Sequence, residues 1–99
     1  MTVAFDEVGT RIGDAARQVE ADGNASPVLV AVVREFQAKL AKAEALAQDG
    51  EPRHDSVIEL EQAGDSAKAA AEADVGLSSD ARESVLAAHL AICKLKAGA

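Results

Sequence analysis

Aromatic side chains are nearly missing from this sequence. Tryptophan and tyrosine do not occur, and Phe5 and Phe36 are the only phenylalanines among 99 residues. Apolar residues make up 48%, but nearly half of them are alanine. A core must therefore be assembled from small and aliphatic groups, each large one contributing roughly 1.5–3 kcal/mol on burial. Chain entropy opposes folding on a comparable total scale, leaving a thin margin that self-association would widen. Cysteine occurs once, at Cys93, which rules out an intrachain disulfide and suits a reducing compartment. Long apolar runs are missing too: the stretch from Val28 to Val33 falls far short of the ~20 residues that span a bilayer.

Positive charge is scarce. Ten Lys and Arg against 17 Asp and Glu leave a formal charge of −7. A nucleic-acid binder needs a cationic surface to displace counterions from phosphates, and an anionic membrane repels this chain. Neither is an expected partner, whereas a basic protein surface is compatible with the charge. The opening Met-Thr-Val-Ala-Phe-Asp-Glu carries acids where a secretory signal carries basic residues, so a cytoplasmic setting is expected. No G-x-S-x-G elbow, P-loop or dinucleotide fingerprint is present. The serines sit at turns and caps, and the carboxylates spread along an outer helix face with no sign of an enclosing pocket. These absences predict a protein that is not an enzyme and carries no cofactor.

What is present is regular. Three short segments, at residues 22–26, 49–52 and 74–78, each bring Asp and Gly close together at intervals of about 25 residues. Such residues end helices and make turns, leaving four segments with helical periodicity. Phe5, Val8, Ile12, Ala15 and Val19 step by three and four in the first. Leu29, Val33, Phe36, Leu40, Ala43 and Ala47 do so in the second; Val57, Leu60, Gly64, Ala67 and Ala71 in the third; Leu86, Leu90 and Cys93 in the fourth. Connections this short join antiparallel neighbours. The prediction is one all-α domain over residues 1–99, an antiparallel up-down four-helix bundle with helices over 3–22, 27–48, 54–74 and 79–96.

The ends agree with that division. Ser26 before Pro27 places a capping side chain ahead of the position where proline is favourable. Asp55 or Ser56 is the expected cap of the third helix. Ser79 or Asp80 is expected to cap the fourth, with Asp80 and Glu83 as a capping box. Gly9 and Gly13 form a GxxxG spacing on the first helix, read here as tolerated local weakness.

Two helices carry more apolar surface than one bundle easily covers. The second begins apolar nearly all round, and the fourth has an apolar arc above half its circumference. This surplus predicts a non-enzymatic interaction module of the adaptor, assembly or chaperone kind. It would associate with a second copy as a homodimer, or bind a partner's amphipathic helix. Val28, Val32, Leu46, Val85, His89, Ile92 and Leu95 are the residues expected to line its surface.

His89 has the widest chemical scope. It projects onto the apolar arc between Ile92 and Cys93. The plainest reading is a boundary histidine at a helix contact, its ring partly packed and one nitrogen bonded. A metal-binding bundle is an alternative, because His89 and Cys93 lie four apart on one face. Such a site would need His54 or a carboxylate to complete it. A small acidic helical bundle with one histidine on a helix face also resembles the histidine phosphotransfer domains, and that resemblance implies His89 as phosphoacceptor. The lysine that follows the histidine by about three places in that family is five places on here, at Lys94, with Ile92 and Cys93 at the expected positions.

Overall fold

The three-four seams read from the first three segments are the buried ones. In a computed structural model, which describes residues 3–98, Phe5, Val8, Ile12, Ala15 and Val19 are buried on α1 (Val3–Ala21). Leu29, Val33, Phe36 and Ala43 are buried on α2 (Pro27–Leu46), with Leu40 packed against them. On α3 (His54–Ala73) the buried set includes Val57, Leu60, Gly64, Ala67 and Ala71. Each helix turns the same stripe inward over its whole length, because burial of that stripe stabilises a helix more than intrinsic propensity does.

The fourth helix, α4 (Ser79–Gly98), corrects the sequence reading. Its inward stripe is Ala81, Val85, Ala88, Ile92 and Leu95. Leu86 and Cys93 are only partly buried, and Leu90 is exposed. The expected seam was thus rotated away from the true one. An apolar arc wider than half a turn leaves the inward direction undetermined, and alanines carry part of the contact that leucines were expected to make.

The helices form a ring in which α1 packs on α2 and α4, and α3 packs on α2 and α4. That is the antiparallel up-down four-helix bundle, 40 × 19 × 18 Å overall. All four starts fall where predicted, α1 and α3 end one residue early, and two ends shift by two residues. α2 stops at Leu46 rather than 48, because Gln48 and Glu51 exchange two backbone hydrogen bonds of 3.0 and 2.9 Å around Asp49 and Gly50. Both turn residues have positive φ, 54° and 78°, the signature of a type I′ turn. α4 continues to Gly98 instead of ending near 96.

The other two connections lie together at the opposite end and cap each other. Asp22, just beyond α1, accepts from the Asn24 amide at 2.9 Å and from the Ser78 amide at 2.8 Å. Asp74, just beyond α3, accepts from the Gly76 amide at 3.2 Å and from the Ser26 amide at 2.8 Å. Ser26 Oγ then accepts from the Leu29 amide, and Ser78 Oγ from the Ala81 amide. Ser78 therefore caps α4, in place of the expected Ser79 or Asp80. The Asp22 carboxylate fixes the Ser78 backbone as the flanking residue, so the helix begins at Ser79, earlier than a cap at Ser79 or Asp80 would start it. α3 begins without a side-chain cap from Arg53. Asp55 lies inside the first turn, where it accepts from the Ser56 amide and pairs with the Arg53 guanidinium.

Candidate functional site

The seven residues expected to share a surface divide into two groups of three, with His89 apart from both. Val85 and Ile92 are fully buried, and Leu95 nearly so. They belong to the inward stripe of α4, and only Leu95 reaches the wall of a cavity. Their assignment to an interaction surface is withdrawn for the same reason that the α4 seam shifted. Val28 is 67% exposed, Leu46 is 38% exposed, and Val32 is half-buried against the core. These three lie along α2. His89 lies apart from them, between α4 and α3.

His89 packs beside Gly64 of α3. A Cβ on Gly64 of α3 would stand 3.5 Å from His89 Cδ2 and 3.3 Å from both Ile92 Cγ2 and Phe36 Cζ. The 3.3 Å approaches are tight, whereas 3.5 Å to the imidazole is ordinary van der Waals contact, so Gly64 makes room chiefly for Ile92 and Phe36; the His89 side chain beside it is 18% exposed. Its Nε2 is 2.7 Å from Asp65 Oδ1. A carboxylate can only accept, so Nε2 carries the proton and donates it. Cys93 Sγ approaches the same nitrogen at 3.7 Å and Nδ1 at 4.0 Å. One step further along, Lys96 Nζ binds Glu61 Oε1 at 2.8 Å. Glu61 holds the Lys96 ammonium above its ordinary range, chiefly through that hydrogen bond and then through its charge.

This geometry limits what the cluster can do. Nε2 faces both Asp65 and Cys93, so a proton donated to the carboxylate leaves no lone pair there to take one from the thiol, and Nδ1, which keeps its lone pair, stands 4.0 Å from Sγ, at the outer limit of a sulfur hydrogen bond. An activated cysteine needs its base and the base's orienting acid on opposite ring nitrogens. A phosphoryl group on Nε2 would displace Asp65 and meet its charge, while the nearby ammonium of Lys96 is already committed to Glu61. Among the described residues, no group of three or more His, Cys, Asp or Glu side chains converges on a point that could hold a metal ion. His54 is the first residue of α3, ten residues from Gly64, beside which His89 packs. It lines a cavity of ≈ 400 Å³ at the α2–α3 turn end with Glu51, Pro52, Val57, Lys94 and Leu95. Glu51 and His54 have the Glu-x-x-His spacing of di-iron bundles, but they sit on the linker and the first residue of α3 rather than on one helix face.

A different feature gathers apolar surface. At the end where Asp22 and Asp74 cap the helices, Val28, Ala70, Ala73 and Val75 line a shallow groove of ≈ 270 Å³ between α2 and α3, with Ser26 and Asp74 beside them. Val75 is 98% exposed. The sequence reading found Val28 but not Val75, which it placed in a turn. Turn chemistry explains how the backbone bends at residues 74–78 and gives no hint of an apolar side chain standing beside α2. The carboxylate of Asp74, the one charged group lining the groove, is held in place by two amides. Among the described residues no helix is long and apolar enough to cross a membrane. The chain matches no family model, no curated protein and no solved structure.

Proposed function

We propose that the protein is a non-enzymatic interaction module which associates with a second copy of itself through the α2–α3 groove. The carrying observation is the exposure of Val28 and Val75 side by side with Ala70 and Ala73. Two bodies of charge −7 repel one another, and they can approach only over a patch with little charge of its own. This groove is such a patch, and its one carboxylate is held by backbone amides. A two-fold contact would bury each valine once per copy, and full burial of a valine side chain is worth roughly 1.5–3 kcal/mol.

Val28→Glu and Val75→Glu test the reading without touching the core. Each should weaken self-association at least about tenfold, the equivalent of ~1.4 kcal/mol, with helical circular dichroism unchanged. Light scattering over a concentration series reads the mass. A chain that stays monomeric throughout, or a dimer indifferent to both substitutions, removes the proposal. The phosphotransfer and metal alternatives built on His89 find less support, because its exposed nitrogen is occupied by Asp65.

A further inference from the structure

The two halves of the chain repeat one another at a constant offset of 52 positions, as from 5 to 57, 22 to 74 and 26 to 78. On α1 and α3 the equivalent buried pairs are Phe5 with Val57, Val8 with Leu60, Ile12 with Gly64, Ala15 with Ala67 and Val19 with Ala71. On α2 and α4 they are Leu29 with Ala81, Val33 with Val85, Phe36 with Ala88, and Ala43 with Leu95. The loop bonds obey the same offset. Asp22 holds the Ser78 amide and Asp74 holds the Ser26 amide, each at 2.8 Å, so the exchange of halves maps one bond onto the other. Helix contacts do likewise, since α1 with α4 maps onto α3 with α2.

The hairpins are equivalent in plan and complementary in size. The first carries Ile12 and Phe36 where the second carries Gly64 and Ala88. Phe36 Cζ reaches to within 3.3 Å of where a Gly64 Cβ would stand. First-on-first pairing would crowd two large sets together, and second-on-second pairing would leave voids, each destabilising. Only a first hairpin against a second hairpin fills the core, and a second copy of the chain supplies both. The hinge between them is a tight turn in which Asp49 holds φ 54° and Gly50 φ 78°. Short hinges with such backbone demands favour exchange of elements between protomers when they are disturbed.

We propose that the chain is a duplicated α-hairpin whose first half can close on the second half of another copy, giving a hairpin-exchanged dimer hinged at residues 48–53. This inference rests on the core pattern and the loop bonds and is independent of the groove at Val28 and Val75. Replacing Gln48, Asp49, Gly50, Glu51 and Pro52 by alanine converts the turn into helix-forming chain, so that α2 and α3 cannot fold back on each other. With Val28→Glu and Val75→Glu also present in the full-length chain, groove docking cannot account for any dimer. The expected result is a doubled mass by light scattering with helical content retained. A folded monomer of this variant overturns the proposal.

The full-length chain with only the two glutamate substitutions gives a second reading. Refolded from denaturant at millimolar concentration, it should yield a fraction of doubled mass that persists for hours after dilution to micromolar, because separating exchanged hairpins requires opening the core. A groove dimer would instead dissociate on dilution with its helices intact. Complete return to monomer at every refolding concentration also overturns the proposal.

Discussion

Gly64 and Ser56 show how much single positions on α3 decide. Alanine at 64 would gain ~1 kcal/mol of helix propensity. Its Cβ would also press on Phe36 and Ile92 at 3.3 Å, both fully buried, which would have to shift by a few tenths of an ångström within the core. Overpacking of that kind costs roughly 1–3 kcal/mol, so Gly64→Ala is expected to lower stability by about 1 kcal/mol in urea unfolding; a gain in stability would mean that the α3–α4 contact is loose. Gly9 and Gly13 meet only the ends of Glu44 and Arg17 side chains, and the GxxxG spacing on α1 marks no close backbone crossing. Ser56 is the converse case. It is 4% exposed, and among the described residues its Oγ has no hydrogen-bond partner. A buried hydroxyl without a partner costs about 1–3 kcal/mol. Ser56→Ala should accordingly leave the fold intact and raise the unfolding midpoint, by up to about 1 kcal/mol of stability. A clear loss would reveal a bond made by that hydroxyl.

At the scale of elements, helix ends are secured by carboxylates that reach across the bundle. The Ser78 amide and then the Asn24 amide hold the Asp22 carboxyl below its ordinary value of 3.8. Glu59 is held below its ordinary 4.5 by hydrogen bonds from Lys39 and then Lys42. A depressed folded value means that the contribution is fully present above the unfolded value and disappears as pH falls through the folded one. Lys39 and Lys96, raised above 10.5 by hydrogen bonds to Glu59 and Glu61, work in the opposite direction. Their contribution holds below 10.5 and fades as pH rises through the folded value. Stability should therefore be level near neutrality and fall below about pH 4, in the usual carboxylate range. Asp22→Asn, which cannot ionise, should start less stable and lose less between pH 6 and pH 3, as read from urea midpoints. An unchanged acid slope would show that the carboxylate of Asp22 does not secure the α4 terminus. α4 has a further tie in Arg82, whose guanidinium donates to the carbonyls of Ala71, Asp74 and Leu77. The first half has Val30 at the equivalent place, so this clasp is one feature the two hairpins do not share.

For the whole molecule, self-association can follow two routes that separate cleanly in experiment. Glutamate at Val28 and Val75 acts on surface docking and leaves the core alone, whereas the alanine linker acts on hairpin exchange and would rebuild the groove from α2 of one copy and α3 of the other. Charged substitutions at Val85 or Ile92 would report on neither, because they would break the inward stripe of α4. The sequence by itself determined four helices, their approximate limits and three of the four seams. Those depend on local periodicity and on Asp, Gly, Ser and Pro at the breaks, and both act within a few residues along the chain. Which sector of α4 turns inward was decided only by packing, since an arc of apolar residues wider than half a turn has no preferred direction until Gly64, Phe36 and the alanines of neighbouring helices meet it. The pairing of Asp65 with His89, the crossed caps of Asp22 and Asp74, and the meeting of Val28 with Val75 were likewise settled by tertiary structure. Each joins residues far apart in the chain, and no short-range pattern encodes which side chains meet across the bundle.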